Sequence, residues 1–387
     1  MTDALRLYRT MLEFTGQGQS GFNDIRNWMT FAWALVGLLL SNNIHLSKWA
    51  VHRVGAAHAE SKERQFSRWL DNKKIEPQQI YKSLVTAVLA NWSDKTIHLA
   101  LDTSMLWNGF VIIRIALVYR GRALPLVWKV MEHGSASVAF EDYAEVVQAT
   151  AQLLPLHCQA ILLADRGFAD VNLMSLCTEL DWSFTIRAKQ SLLVHRAYKP
   201  KCKFSQLVPP KGEIHFHHSV QVTDRRFGPV HLALGHVRTP NGYEQWLLIS
   251  DRPTTLETFD EYGLRFDIEE GFLDDKSAGF QLESSQIRDA DALSRLCLIL
   301  ATAALYLAST GTAVFSMNLR RQVDTHWHRG LSYFQIGWRW IRTALASGRN
   351  LLNFIWLDPE PDPEPVYACR KQAATSPVAF SACYQIE

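Results

Sequence analysis

Residues 261–277, EYGLRFDIEEGFLDDKS, decide how the rest of the chain is interpreted. Tyr262, Arg265, Glu269 and Lys276 lie at offsets of 0, 3, 7 and 14 along this stretch. On a helix that turns by ~100° per residue, the four side chains fall within an arc of about 60°. A carboxylate flanked by two cations on one helix face suits phosphodiester chemistry, in which a metal ligand works beside phosphate-binding groups. By spacing alone, an ordinary ion-paired helix face is an equally good interpretation.

Two further acids each follow an apolar run that reads as a buried strand. Asp102 ends such a run in LALDTS, and Asp165 ends another in ILLADRGF. A carboxylate at the end of a buried strand is costly unless it is paired or used. Open α/β sheets place their ligands at such strand ends, and two carboxylates there are suitable oxygen ligands for a divalent metal ion. The sequence therefore predicts a metal site at this edge of a sheet.

The hydrophobic periodicity around these acids predicts a mixed α/β sheet. Expected strands cover residues 96–101, 110–119, 124–130, 160–164 and 183–188, with helices over 140–153 and 170–179. Residues from about 190 to 252 interrupt this rhythm with short strands at 213–222, 230–237 and 244–249. We interpret that stretch as a β-rich insertion, followed by helices from about residue 255 to 308.

With these three motifs in order, the chain resembles a DDE transposase of a bacterial insertion sequence. It is most similar to the branch marked by a Tyr-x2-Arg-x3-Glu-x6-Lys signature, which is complete here. The resemblance covers about residues 96–310. It implies a ribonuclease-H-like catalytic fold with a β-rich insertion between the second Asp and the Glu, flanked by helical N- and C-terminal regions.

The resemblance also implies the roles of the site residues. Asp102, Asp165 and Glu269 would hold two Mg²⁺ ions, for which Mn²⁺ is a plausible substitute. Water would attack at the transposon end and release a 3′-hydroxyl, which would then attack target DNA in a cut-and-paste reaction. Arg265 and Lys276 would hold phosphates near the cut, and the Tyr262 hydroxyl would contact a backbone phosphate.

Members with this signature are expected to pass through a hairpin at the transposon end, a step helped by stacking a flipped base on an aromatic ring. Trp246, in EQWLLISDRP, looks like the tryptophan that serves this purpose. A tryptophan packed in the core of the insertion is an equal alternative. Arg166, directly after the second acid, is expected either to touch DNA or to pair with the site. Gly271 lies inside the signature helix and costs about 1 kcal/mol relative to Ala, so we expect a bend there.

The distribution of charge bears on nucleic-acid binding more than its total does. Lys and Arg exceed Asp and Glu by only 40 to 38, yet residues 1–95 carry 12 basic and 8 acidic residues. Residues 318–350 carry six arginines against one acid, interleaved with tryptophan and histidine. Basic segments with aromatic residues are typical of phosphate-backbone contacts, while packed or solvated helix faces are the alternative. Residues 351–387 carry two basic and five acidic residues.

These patterns predict three regions. We expect a helical DNA-binding domain over 1–95, a catalytic domain over 96–310, and a helical C-terminal region over 311–387 with a frayed tail after about 359. The C-terminal region is where DNA contact and dimerisation would be expected. The implied partners are double-stranded DNA, both transposon ends and target, and a second copy of the chain in a homodimer.

The remaining features exclude some classes of protein. With 48% hydrophobic and 20% charged residues, the composition does not fit a disordered or low-complexity chain. None of the six cysteines forms a C-x-x-C or a zinc-finger spacing. The N-terminus does not read as a signal peptide, and residues 296–319 are interpreted as a buried core helix ending near Gly311, with a membrane span as the alternative. We expect a cytoplasmic enzyme, associated with the nucleoid when bound to DNA. The functional alternative is a catalytically inactive, transposase-derived DNA-binding protein.

Overall fold

The computed structural model describes residues 2–16, 21–239, 242–276, 279–353, 355–365 and 384–386. The frayed tail predicted after residue 359 lies largely outside this part of the chain. The helices are α1 Asp3–Gly16, α2 Ile25–Ser41, α3 Leu46–His52, α4 Ala59–Leu70, α5 Pro77–Val88, α6 Phe140–Ala151, α7 Val171–Glu179, α8 Glu257–Gly263, α9 Asp267–Lys276, α10 Ala290–Ser316 and α11 Tyr333–Ala346. The strands are β1 Thr96–Leu106, β2 Phe110–Tyr119, β3 Arg122–Glu132, β4 Gln159–Ala164, β5 Ser183–Arg187, β6 Leu193–His195, β7 Cys202–Lys203, β8 Ile214–Val222, β9 Phe227–Thr239, β10 Gly242–Ser250 and β11 Tyr384–Ile386.

The strands of the described residues form one mixed sheet in the order β3-β2-β1-β4-β5-β10-β9-β8-β6-β7, with β11 paired to β8. β1, β2 and β3 are an antiparallel meander, whereas β1, β4 and β5 run parallel. The parallel strands are connected through α6 and α7, as parallel neighbours require. This order and these directions are those of a ribonuclease-H-like sheet, so the predicted fold class is confirmed.

The β-rich insertion continues the catalytic sheet. Its last strand, β10, pairs antiparallel with β5 through Leu248 and Arg187, and β9, β8 and β6 extend the sheet beyond it. The insertion therefore shares its backbone hydrogen bonds with β5, the strand next to β4, which Asp165 follows.

The five N-terminal helices pack on the same core as the sheet. α2 begins at Asp24, whose side chain accepts the Arg26 N–H, and ends at Asn42 in a left-handed conformation that satisfies the last turn. Its apolar body contacts α10, and its buried Phe31 stacks on Trp69 of α4. The predicted boundary of a DNA-binding domain at residue 95 stays a prediction.

α10 is the one described helix that is long and apolar enough by itself to cross a membrane, and 94% of its most apolar window is buried by the rest of the protein. The core-helix interpretation describes it, but the helix runs to Ser316 rather than ending near Gly311. Gly311 lies where α11 crosses: a Cβ there would be 1.9 Å from the carbonyl oxygen of Tyr333. The glycine thus permits close helix packing and does not end the helix.

Two of the six arginines of the C-terminal basic segment, Arg320 and Arg329, are paired with acids inside the molecule. An extended acidic strap, residues 358–365, crosses it and places an acid at every second position. The acids pair as follows: Asp358 with Arg120, Glu360 with Lys95, Asp362 with Arg329, and Glu364 with Arg320 and His328. Trp338 and Trp340 are buried as well. For these residues the packed-helix alternative describes the surroundings, while DNA contact by the segment stays a prediction.

Candidate active site

The first two acids are brought side by side by the parallel pairing of β1 and β4. The last paired residues of that ladder are Leu101 and Ala164, so Asp102 and Asp165 follow it in step. Asp102 does not end its strand, as the sequence predicted, because β1 continues to Leu106 while paired with β2. It lies instead where β1 loses its parallel neighbour, and this exposes its carboxylate to the cleft at the sheet edge.

The signature segment is helical throughout but does not form the single regular helix face that the spacing predicted. Between α8 and α9 the chain winds as a 3₁₀ turn over Leu264–Phe266, which changes the angular relation of Tyr262 to Glu269. The expected bend at Gly271 is replaced by this earlier turn. Gly271 serves a close approach instead, because a Cβ there would lie 2.8 Å from the carbonyl oxygen of Ala123 on β3.

Arg265 joins the first and third acids. Its guanidinium is 4% exposed and lies 3.2 Å from Asp102 Oδ2 and 2.7 Å from Glu269 Oε1. The bridge brings the helix carboxylate next to the strand carboxylate. It also means that two of the three acids share the one positive charge of Arg265.

The charge state of Asp102 reflects this crowding. Burial raises the pKa of Asp102 to about 6, and the nearby Glu269 and Asp165 carboxylates act in the same direction. Arg265 and the Thr103 N–H, which donates to Asp102 Oδ1 at 2.8 Å, oppose the rise. Three carboxylates that influence one another in this way are a site that favours binding of a cation.

The donor set fits a divalent metal ion in kind. Asp165 Oδ1 is buried and has no hydrogen-bond partner among the described residues, so one carboxylate oxygen remains available. Carboxylate oxygens are the ligands that Mg²⁺ and Mn²⁺ prefer. In the described part of the chain, no three acidic, histidine or cysteine side chains form a ready-made metal cluster. Arg265, held between Asp102 and Glu269, accounts for the separation of those two ligands.

Tyr262 and Trp246 lie in the interior rather than at the surface. Tyr262 is fully buried, and burial raises the pKa of its hydroxyl above the usual value although the nearby Arg265 lowers it. Trp246 is 4% exposed, stacks on Phe266 and meets Tyr262 edge to face. The packed-core alternative thus describes Trp246 in this structure. A phosphate contact by Tyr262 and base stacking by Trp246 stay predictions, and each requires exposure that this structure does not provide.

Lys276 and Arg166 occupy different parts of the site. Lys276 donates to the carbonyl oxygen of Met105 at 2.6 Å and lies 3.4 Å from Glu283, beyond the end of the parallel β1–β4 ladder. Arg166 is exposed and lines the cleft immediately after Asp165. The structure therefore brings Arg265, but not Lys276, against the acids.

A cleft of about 1250 Å³ opens from Asp102 and Asp165 toward the insertion. Its far wall includes Lys189, Lys211 and Tyr243, none of which the sequence analysis selected. The signal was available, because residues 189–226 contain eight Lys and Arg against two acids. A groove with acids at one end and cations along its wall suits a phosphate backbone.

Comparisons with known proteins agree with the motifs at the family level. The family model described as "Transposase DDE domain" matches residues 109–306, which is half of the chain and includes Asp165 and Glu269. A solved piggyBac transposase synaptic complex with hairpin DNA aligns with 90% of this chain and 81% of that chain, at 12% identity and a TM-score of 0.42. That likeness is too weak to bear on fold or function. Among curated proteins, no sequence matches the chain.

Proposed function

The chain belongs to the transposase DDE domain family, and from that premise we propose that it cuts the ends of an insertion sequence and joins the freed 3′-hydroxyl to target DNA. The observation that supports this proposal most directly is the placement of the three carboxylates around Arg265, two of them in direct contact with it. Asp102 and Asp165 follow one ladder in step, and Arg265 draws Glu269 to Asp102. The same acids, in the same order on strand, strand and helix, led to the resemblance.

Asp102, Asp165 and Glu269 would hold the divalent metal ions that DDE transposase domains generally use, with Mg²⁺ as the proposed metal and Mn²⁺ as a substitute. When bound, such ions stabilise the attacking and leaving oxygens of an in-line phosphoryl transfer. The chain's own contribution is to keep Asp102 and Asp165 in register. The chain also supplies carboxylate ligands whose negative charge is no longer balanced once Arg265 moves away from them.

The cations of the site would then hold the DNA. Arg265 carries a fork of N–H donors that suits a phosphate as well as a carboxylate, so a phosphate near the cut can take the place of its present partners. Arg166 is exposed in the cleft, which supports the DNA-contact alternative over internal pairing. Lys276, the last residue of α9, contacts β1 farther along at Met105 and would reach a more distant phosphate.

A hairpin at the transposon end is the finer part of the proposal. It requires Trp246 to leave its contacts with Phe266 and Tyr262, so DNA binding must move α8 or the 3₁₀ turn. Trp246→Ala should stall the reaction after the first nick, whereas an unchanged hairpin yield would remove the base-stacking role. Synapsis of two ends would require two copies of the chain, so we propose a homodimer in the DNA complex.

The test is a nicking assay on duplexes carrying the inverted repeats that flank the gene, with and without Mg²⁺. Asp102→Asn, Asp165→Asn and Glu269→Gln should each abolish cleavage while leaving end binding largely intact. Glu270→Gln is the matched control, because it removes the same charge one residue along from an exposed position and should still cut. Full cleavage by any of the three site variants would refute the assignment. Binding without cleavage by the wild type would instead favour the inactive, transposase-derived DNA-binding protein.

A further inference from the structure

The short helix α8 is held in place by a carboxylate that the proposed function does not use. Glu261 Oε1 accepts a hydrogen bond from His98 Nε2 on β1 at 3.1 Å. Glu261 Oε2 lies 3.5 Å from the Thr185 hydroxyl on β5 and pairs with Arg252, which follows β10. Burial acts to raise the pKa of Glu261, but the His98 and Arg252 contacts outweigh burial and lower the pKa, so the carboxylate is ionised. Three separate elements therefore meet in one side chain of α8.

The length of α8 makes such an anchor necessary. The helix has seven residues, well below the roughly 12–15 that an isolated helix needs. Its buried residues Phe259 and Tyr262 pack with Trp246 in an apolar cluster that is separate from the main core of the protein. A small separate cluster can open locally without disturbing the main core. The position of α8 thus depends on this cluster and on Glu261.

The movement of α8 is tied to that of Arg265. The 3₁₀ turn that carries Arg265 follows the last residue of α8 without a break. The guanidinium lies 4.4 Å from the ring centre of Phe266 and 6.0 Å from that of Tyr262, and the residue is 4% exposed. A guanidinium packed in this way has no room to leave Asp102 and Glu269 while the turn stays in place. Its release therefore requires the turn to move, and α8 with it.

The helix on the other side of the turn is firmly fixed. α9 begins directly after the turn and is held to β2 by the buried pair of Arg114 with Asp275, which are 2.5 Å apart. A second ion pair joins Asp274 of α9 to β3. These contacts keep Glu269 at the site, so a movement that frees the acids would take place on the α8 side of the turn.

We propose that Glu261 is a positioning residue for the reaction and that it acts through Arg265. While Glu261 keeps its contacts, α8 and the turn are closed, Arg265 occupies the acids and Trp246 is covered. When Glu261 is released, one movement frees the acids for the metal ion and uncovers Trp246. This inference rests on the proposed function, which assigns the metal site and the role of Trp246. Metal binding and the opening of α8 should then favour each other, because coupling between two equilibria is reciprocal.

The test measures the Mn²⁺ affinity of the full chain without DNA by titration calorimetry. Glu261→Gln keeps the shape of the side chain and removes its charge. Loss of a negative charge would by itself weaken Mn²⁺ binding, whereas release of Arg265 strengthens it, so the sign of the change separates the two effects. We expect the Mn²⁺ dissociation constant to fall roughly tenfold, which corresponds to the loss of one charge-assisted hydrogen bond in a partly exposed position.

Two further variants serve as controls. Glu257→Gln removes the same charge from an exposed position on α8 and should leave the Mn²⁺ affinity within about twofold of the wild type. In an Arg265→Met background, Glu261→Gln should also change the Mn²⁺ affinity by less than about twofold, because the residue through which Glu261 acts is then absent.

Hydrogen exchange supplies a readout that does not depend on metal. The backbone amides of residues 257–266 should exchange roughly tenfold faster in Glu261→Gln than in the wild type, whereas those of α10 in the main core should not change. By reciprocity, Mn²⁺ should accelerate exchange of the same amides in the wild type.

Unchanged or weaker Mn²⁺ binding by Glu261→Gln overturns the inference, and so does an equal gain in the Arg265→Met background. Faster exchange without a change in Mn²⁺ affinity shows a merely structural role for Glu261 and overturns it as well. If neither the wild type nor Arg265→Met binds Mn²⁺, the metal site of the proposed function is refuted together with the inference. If Arg265→Met binds Mn²⁺ while Glu261→Gln is indistinguishable from the wild type, only the positioning role of Glu261 is refuted.

Discussion

Replacing Arg265 by Met tests whether this arginine acts as an internal counter-ion for the site. The guanidinium contacts Asp102 Oδ2 at 3.2 Å and Glu269 Oε1 at 2.7 Å, and only 4% of the residue is exposed. Met is of similar length and apolar, so the change removes the charge while it keeps most of the packing. Two carboxylates then face each other without a cation.

The magnitude follows from burial. At an effective dielectric constant of about 20, the attraction between Arg265 and Asp102 is roughly 5 kcal/mol before desolvation is counted. Breaking a buried pair by removing one partner usually costs about 3–5 kcal/mol. The lower value of this range applies here because Asp102 can lose its charge by taking up a proton. Its pKa, already about 6, rises further without Arg265, so the carboxyl takes up a proton near neutral pH. We expect a loss of about 3 kcal/mol in the free energy of unfolding.

A divalent metal ion should recover much of that loss. In the variant the ion has to displace only the proton on Asp102, whereas in the wild type it must first displace Arg265. Metal at about 100 times its dissociation constant stabilises the folded state by about 2.7 kcal/mol. We therefore expect Mn²⁺ to stabilise Arg265→Met by about 1–3 kcal/mol more than it stabilises the wild type.

The assay is urea denaturation at pH 7.5 with and without Mn²⁺, in the absence of DNA. Arg114→Met is the matched control. Arg114 forms a similarly buried ion pair, 2.5 Å from Asp275, but with a single carboxylate, so the variant should lose stability without gaining metal response. If Mn²⁺ stabilises the wild type and Arg265→Met equally, Arg265 is not the counter-ion of a metal site. An equal metal response of Arg114→Met would lead to the same conclusion.

Three further predictions test the fold around the site. Gly337→Ala should lower the unfolding free energy by about 3 kcal/mol, although Ala favours helices. The reason is that the new Cβ would lie 2.0 Å from a carbonyl oxygen of α10. The urea midpoint measures this loss, and an unchanged midpoint would contradict the α10–α11 contact. Burial raises the pKa of Asp274 to about 6, so the folded state loses stability as pH rises from about 4 to 6. The unfolding free energy of Asp274→Asn should therefore exceed that of the wild type by about 1–3 kcal/mol at pH 8 and by little at pH 4. A gain in stability that is independent of pH would contradict the raised pKa. In the acidic strap, Asp362→Ala should cost about 2–4 kcal/mol by leaving a buried arginine without its carboxylate. Glu360→Gln, whose ion pair is exposed, should leave the urea midpoint close to that of the wild type, and equal midpoints for the two variants would contradict the buried pairing.

The parts of the site that depend on local pattern were predictable. Asp102 and Asp165 each follow an uninterrupted apolar run, and such runs are typical of central parallel strands whose ends share one edge of a sheet. The strand at Phe110–Tyr119 has the predicted bounds because its β-branched run is bordered by Gly109 and Arg120–Gly121.

The parts that depend on distant contacts were not predictable. The predicted common face of Tyr262, Arg265, Glu269 and Lys276 required one regular helix. The spacing of these residues does not reveal the 3₁₀ turn at Leu264–Phe266 that interrupts it. The alternation of side chains along β10 does not show which face of the strand is covered by the segment that follows it. The burial of Trp246 could therefore be seen only in the folded structure. The arginines near residue 329 appeared free because their acidic partners lie about thirty to forty residues away in sequence, as with Asp362.

The hydrogen bonds between β5 and β10 decide where this molecule can be cut and rejoined in a chimera. Excising residues 190–252 as a block would leave β5 with a row of unpaired backbone groups, a template for self-association. It would also remove Asp251, whose carboxylate accepts the Phe184 N–H at 2.7 Å and so fastens the far side of the joint. The portion that can be exchanged is therefore β6 to β9, with β10 retained as part of the recipient. A transplanted tip joined at the ends of β5 and β10 would inherit the distance to the acids from the host sheet, whatever its own sequence.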